Sequence, residues 1–170
     1  AVAVLVSVLA LLLFSIAAFV VDLGMARDNR RQAQNTADAA ALAAANALYA
    51  TTATNLNAPG DFDAAVKAAK DYAAANYGVT EDDWAACAMP SSDALPVVRP
   101  GTGTNCISFD QSPYPNNVLV RVPLRKMPTL FGAVMGYQGL SISAVAKAKI
   151  APGGKYVCTF CVVKETTHYL

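Results

Sequence analysis

The chain opens on an uninterrupted apolar run. Residues 1–21 carry no charge, and only Ser7 and Ser15 are polar. As a helix rising ~1.5 Å per residue, this segment spans roughly 31 Å, about the thickness of a bilayer's hydrocarbon core. Because apolar residues occur on every side, the pattern predicts a helix surrounded by lipid or by other helices. The packing residues expected there are Val2, Val4, Leu5, Val6, Leu9, Leu12, Leu13, Phe14 and Ile16.

Residues 22–50 predict a polar continuation of the same helix. Asp22 is the first charge, and Arg27, Arg30 and Arg31 follow it. Positive charge directly after a span is typical of the cytoplasmic side, whereas the cysteines favour an external location. We give the cysteines precedence, since a basic leader removed in processing would outweigh these arginines.

A stripe of alanines runs along this second half of the helix. Ala33, Ala37, Ala41 and Ala45 recur every four residues and share one side. Small residues at this spacing let helix backbones approach closely. Two interpretations stay open: the stripe lies on the chain's own domain, or it packs against neighbouring copies.

Residues 51–170 predict an α+β domain of one or two helices packed on an antiparallel sheet. Asp61 caps a second helix that ends at Gly78, and Thr80 caps a short helical turn. Alternating apolar residues predict strands, and a proline-to-glycine segment predicts one further short helix. The strands are expected at 106–109, 118–124, 141–150 and 155–163, and the short helix at 128–136.

Several core positions follow from these patterns. Helical spacing predicts that Tyr72 faces the core, and Trp84 is expected there as well. The strand at 118–124 alternates, which predicts an inward face that includes Leu124. Pro123 should confine the end of that strand to an edge of the sheet, because proline has no N–H to donate.

Composition excludes several classes of function. Hydrophobic residues make up 55% of the 170 residues and charged residues 15%, against ~25% charged in typical soluble domains. The net charge of +1 gives no electrostatic basis for binding nucleic acid. The single histidine, His168, leaves little for a His-based catalytic or metal site, and the acidic residues lack a calcium-loop pattern. We therefore expect no enzyme, no cofactor and no metal.

The four cysteines indicate disulfides in an exported domain. Cys158 and Cys161 form a C-x-x-C motif, but a strand-like sequence surrounds them instead of the helix start that a redox site uses. We favour the pairs Cys87–Cys106, which closes a loop rich in proline and glycine, and Cys158–Cys161. Redox chemistry, zinc binding by the four thiols and free thiols stay open as alternatives.

A set of features in the first 46 residues points to a family. They are the apolar span, Asp22 and Gly24 at its end, the arginines with Gln32, and the run TADAAALAAA. This combination resembles the N-terminal signature of the TadE/TadG-like proteins of Flp (Tad) pilus systems. The resemblance implies export, prepilin-type processing that leaves Ala1 as the new terminus, and a role in pilus assembly or in the filament.

Position 5 departs from the family's pattern. Many type IV pilins and the TadE branch carry a glutamate there, which is thought to meet the N-terminal amine of a neighbour, but this chain has Leu5. The departure favours the TadG-like branch, or an assembly held by apolar packing alone.

Two functions are consistent with these features. One is a pilin-like structural subunit that polymerises through its apolar helix into an extracellular type IV or Tad-like filament. The other is a membrane-anchored minor pilin or an accessory protein for pilus assembly or adhesion. The expected partners are further copies of the chain, the cytoplasmic membrane before assembly, and the pilus assembly machinery. The expected location is the cell surface.

Overall fold

The computed structural model describes residues 2–50, 60–90, 92–98, 103–129, 131–132, 136 and 139–150, without the side chains of residues 49 and 50. Within these residues the order of elements is α1 (Val2–Ala50), α2 (Phe62–Tyr77), α3 (Glu81–Ala85), β1 (Val97–Val98), β2 (Ile107–Phe109), β3 (Asn117–Met127) and β4 (Leu140–Lys149). A long apolar helix followed by small helices and an antiparallel sheet confirms the predicted α+β class.

Contacts within the chain group the residues into two compact units. The first unit, which we call the stem, comprises Ala1–Gln32 and Arg125–Ile142. The second, which we call the head, comprises Ala33–Leu124 and Ser143–Leu170. Helix α1 and strands β3 and β4 run through both units. The domain boundaries expected from the sequence stay a prediction.

The predicted caps of α2 and α3 are present. The Asp61 carboxylate accepts a hydrogen bond from the Ala64 N–H at 2.9 Å. Gly78 ends α2 with φ of 66°, in the left-handed region that glycine adopts without steric cost. Thr80 and Asp83 form a capping box, in which each side chain accepts from the other residue's backbone N–H. These local bonds explain why both helices begin where the sequence predicts.

The sheet has the strand order β1-β2-β3-β4. In its antiparallel register Val97 lies opposite Phe109, and Ile107 lies opposite Val120. Strand β1 has only two residues and was not predicted, because so short a strand shows no alternation. The backbone just before it is fixed by the Leu95 N–H, which donates to the Ser108 hydroxyl at 3.0 Å.

The inward face of β3 ends earlier than the sequence predicts. Val118, Val120 and Val122 are fully buried, as expected, but Leu124 is 58% exposed. The prediction for Leu124 is therefore wrong. The part of β3 that belongs to the head ends at this residue. The alternating pattern of β3 therefore continues past the end of the buried core.

Tyr72 is a second incorrect core prediction. It is exposed, whereas Ala69, Ala73 and Tyr77 on the neighbouring side of α2 are buried. Trp84, in contrast, is buried as predicted. Helical spacing alone could not place Tyr72, because it lies at the margin of the buried side and its hydroxyl favours water.

Pro123 occupies a local edge of β3. The Arg121 N–H donates to the Cys106 carbonyl at 2.8 Å. Alternate residues of a strand direct their N–H groups to the same side, so position 123 would direct its own toward the β2 side. Strand β2 begins only at Ile107, which lies opposite Val120, so no β2 residue lies opposite position 123. The missing N–H of Pro123 therefore costs no hydrogen bond between β2 and β3.

Asp110 fixes the connection between β2 and β3. Its carboxylate accepts from the backbone N–H groups of Asn116 and Asn117, at 2.9 and 3.0 Å, and from the Asn117 side-chain amide at 2.6 Å. Burial raises the pKa of this carboxyl, but the hydrogen bonds from Asn117 and Asn116 outweigh burial and hold the pKa below its ordinary value. The ionised form therefore keeps the connection in place.

The predicted disulfide between Cys87 and Cys106 is confirmed, with the two Cα atoms 6.0 Å apart. It joins the segment after α3 to the start of β2. Cys158, Cys161, His168 and the strand predicted at 155–163 lie outside the described residues, as does Ala1. The helix predicted at 128–136 lies partly outside them.

Candidate membrane and assembly surface

The first five turns of α1 present an apolar surface on all sides. The nine predicted packing residues lie between 51% exposed, at Leu9, and 77% exposed, at Val2. Among the described residues, α1 is the one helix long and apolar enough to cross a bilayer, and its most apolar window has a mean hydropathy of 3.0. So large an exposed apolar surface is typical of a site that contacts a membrane or another protein.

Both polar side chains within this surface are internally satisfied. The Ser7 hydroxyl donates to the Ala3 carbonyl, and the Ser15 hydroxyl donates to the Leu11 carbonyl, each at 2.8 Å. A hydroxyl without a partner is costly in an apolar medium. These bonds within the helix remove that cost, so the two serines do not interrupt the apolar surface.

A group of charged residues follows the apolar surface. Arg27, Asp28, Arg30 and Arg31 are exposed, whereas Asp22 is half-buried. The change from apolar to charged takes place within about two helical turns. Such a boundary is typical of the level at which a spanning helix leaves the hydrocarbon.

The alanine stripe is buried inside the head. Ala33, Ala37, Ala41 and Ala45 are between 0% and 4% exposed. A parallel row of buried residues lies beside it, and we call the two rows together the small-residue face. The second row consists of Thr36, Ala40, Ala44 and Leu48. In this structure the face is covered by the chain itself, as the first of the two sequence interpretations has it.

The second row carries a signal that the sequence reading missed. Its members stand three residues after those of the alanine row, so together they follow the alternating three- and four-residue spacing of an amphipathic helix. The exposed Gln34 on the same helix is polar, and its side-chain amide donates to the Val145 carbonyl of β4 at 3.3 Å. Reading both rows would have predicted a helix with one buried side, covered either by its own domain or by another copy.

Asp22 holds a distant part of the chain against α1 within the stem. Its carboxylate accepts from the backbone N–H of Phe131 at 3.1 Å and of Gly132 at 2.7 Å. A pocket of about 250 Å³ lies beside this contact and is lined mainly by apolar side chains, Met25, Met127 and Leu140 among them. The sequence offered Asp22 as a boundary residue but gave no indication of its partner.

Within the described residues, no three His, Cys, Asp or Glu side chains are grouped so that they could hold a metal ion. The features that stand out are instead the exposed apolar helix, the buried small-residue face and the Asp22 contact. All three involve α1.

Comparison with known proteins bears on this same helix. Residues 1–47 match the family model of the Flp pilus-assembly TadE/G-like proteins. The match confirms the resemblance read from the sequence, and it covers nearly all of α1 and none of the sheet. No curated protein and no solved structure matches the chain.

The TadE/G-like match and the apolar helix together suggest a pilus-related, membrane-anchored protein with a structural role. They also imply involvement with the pilus machinery. The matched residues include the exposed apolar surface and all of the buried small-residue face except Leu48. The family match therefore covers both the exposed and the buried part of α1.

Enlarging a side chain on the small-residue face should destabilise the chain itself. We expect Ala41→Leu to lower the free energy of unfolding by about 1–3 kcal/mol, because a fully packed site has no room for three more carbons. The measurement is pulse proteolysis in urea, with the full chain in non-ionic detergent micelles.

The matched control is Ala75→Leu, at an exposed position of α2. It should change the free energy of unfolding by less than about 0.5 kcal/mol. Equal urea midpoints for the two variants would show that the small-residue face is open in the isolated chain and available to other copies.

Proposed function

We propose that this chain is a pilin-like structural subunit that polymerises through its apolar helix into a surface filament of the type IV or Tad kind. The observation that carries the proposal is the surface formed by residues 2–21, which the chain itself leaves uncovered. Before assembly the membrane covers it. In the filament, the same segments of neighbouring copies replace the lipid.

The physical basis of assembly is apolar packing along the helix. Burial contributes roughly 0.8 kcal/mol per CH₂ group relative to water. In lipid that difference vanishes, and helix association depends on close packing instead. Residues 2–21 contain no charged side chain, so the shape and packing of apolar side chains must determine how copies fit together.

A membrane-anchored minor pilin or TadG-like accessory protein is the second candidate. In this function the apolar helix serves only as an anchor. The small-residue face is covered within the head, so the second half of α1 offers little surface for specific pairing with other copies.

Phe14→Ala separates the two functions. The variant keeps the span apolar, so the amount of protein in the membrane fraction should stay unchanged. It removes an aromatic ring that is 76% exposed, so sheared filaments should contain several-fold less protein if copies pack there. The measurement is quantitative immunoblotting of sheared surface material and of membranes from the native host.

Membrane anchoring is tested by a matched pair of substitutions at two leucines whose side chains are equally exposed. Leu12 and Leu124 are both 58% exposed, but only Leu12 lies in the apolar span. A charge near the centre of a span opposes insertion, so Leu12→Asp should deplete the protein from membranes and filaments, whereas Leu124→Asp should not. If wild-type protein occurs only in membranes, polymerisation is wrong and the accessory function stands.

A further inference from the structure

The stem brings a second part of the chain to the level at which the apolar span ends. Asp22 is the first residue after that span, and its carboxylate accepts hydrogen bonds from Phe131 and Gly132. The backbone at 131–132 is therefore within one side chain's length of α1. The contact links residues 109 and 110 positions apart, so it is a tertiary contact and not a local turn.

The side chains presented at that level are apolar. Phe131 is 46% exposed and Leu140 is 48% exposed. Leu140 also lines the pocket beside Asp22, together with Met25 of α1. In a chain surrounded by water alone, exposed residues of this kind would add to an already large apolar surface. Here Phe131 and Leu140 enlarge the apolar surface to one side of α1, at the end of the span.

Basic side chains occur close in sequence to this apolar extension, on both parts of the chain that meet there. Arg125 and Lys126 are exposed and precede Met127, which lines the same pocket. On α1, Arg27 lies about 8 Å of axial rise beyond Asp22. A layer of apolar side chains edged by arginine and lysine is typical of protein segments that lie in the headgroup region of anionic bilayers.

We propose that these residues, Phe131 and Leu140 with Arg125, Lys126 and Arg27, form a second membrane contact beside α1. The partner is an anionic lipid surface: the apolar side chains enter the boundary between headgroups and acyl chains, and the basic ones bind headgroup phosphates. The proposal rests on the anchoring part of the proposed function. Asp22 is the positioning residue, because it holds the backbone at 131–132 against the helix.

A second contact would restrict how the anchored subunit turns. The rotation and tilt of a helix in a bilayer are set by its packing against neighbouring helices and by anchors at the interface. A contact to one side of α1 selects one rotation. The surface of the span that each subunit presents to its neighbours is then the same in every copy before assembly.

The test places a fluorescent probe at the proposed contact. The full chain carrying Phe131→Trp is reconstituted in phosphatidylcholine vesicles with and without phosphatidylglycerol, using lipids brominated near the headgroup as quenchers. Tyr114→Trp is the matched control, since Tyr114 is also 46% exposed but lies in the head. The native Trp84 is buried and contributes an equal background to both variants.

We expect at least twofold stronger quenching for Phe131→Trp than for Tyr114→Trp, and a further increase with phosphatidylglycerol. Adding Asp22→Ala to Phe131→Trp should reduce quenching to the control level, while the chain still resists extraction by carbonate. That last result distinguishes a positioning role for Asp22 from a general loss of insertion.

The failures of the two proposals can be told apart. A wild-type chain that carbonate extracts from the vesicles contradicts anchoring, and with it the proposed function. A chain that resists extraction but shows equal quenching at positions 131 and 114 overturns the second contact alone. Quenching that ignores lipid charge overturns the assignment of the basic residues to anionic headgroups.

Discussion

Replacing Trp84 with alanine should lower the free energy of unfolding by about 3–5 kcal/mol. Trp84 is 1% exposed and is among the largest fully buried side chains in the described residues. It lies on α3, a helix of five residues that is too short to persist without tertiary contacts. Its indole therefore holds the helix as well as filling the core, and a cavity of that size cannot close by small adjustments. Pulse proteolysis of the full chain in micelles measures the change.

Two further variants make this prediction specific. Tyr114→Ala removes an exposed ring and should shift the free energy of unfolding by no more than about 0.5 kcal/mol. Trp84→Phe should cost clearly less than Trp84→Ala, because most of the volume stays and the indole Nε1 has no hydrogen-bond partner among the described residues. A Trp84→Ala chain as stable as the wild type would mean that α3 is not part of the core.

Removing the disulfide is the other large effect. The double variant Cys87→Ser/Cys106→Ser should lose about 3 kcal/mol of stability, because the bond closes a loop with a sequence separation of 19 and restricts the unfolded chain. Cys106 is fully buried, so a serine hydroxyl there adds a desolvation cost. The measurement is the urea midpoint with and without a thiol-free reductant.

The reductant supplies the internal control. It should lower the midpoint of the wild type toward that of the double variant and alter the double variant much less. Equal midpoints for the oxidised wild type and the double variant would contradict a stabilising role for this bond. Intact mass before and after reduction verifies that the bond was present.

Local chemistry explains how much of the fold the sequence could predict. The ends of α2 and α3 depend on residues within four positions of one another, such as Asp61 with Ala64, so they can be read directly. Strand alternation at 118–122 is equally local. Leu124 and Tyr72 were misplaced because burial depends on where the core stops, and one strand or helix carries no information about that limit.

The candidate membrane and assembly surface was likewise only partly predictable from the sequence. The apolar span and the alanine row were visible as composition and spacing. The contact between Asp22 and Phe131 was not, because it joins residues far apart in sequence through backbone N–H groups that every residue except proline possesses. Which neighbour covers the small-residue face was also undetermined, since alanine suits close packing on the same chain and on a second one.

The small-residue face has a mechanical consequence. A pull along α1 from its apolar end is carried by the helix backbone into this face, where eight buried side chains lie in two rows that run along the helix at a slant to its axis. Contacts arranged along the direction of load resist in shear, so they must slip together and cannot be peeled apart one at a time. Six of the eight side chains are alanine methyl groups. Small as they are, together they form a contact that resists tension.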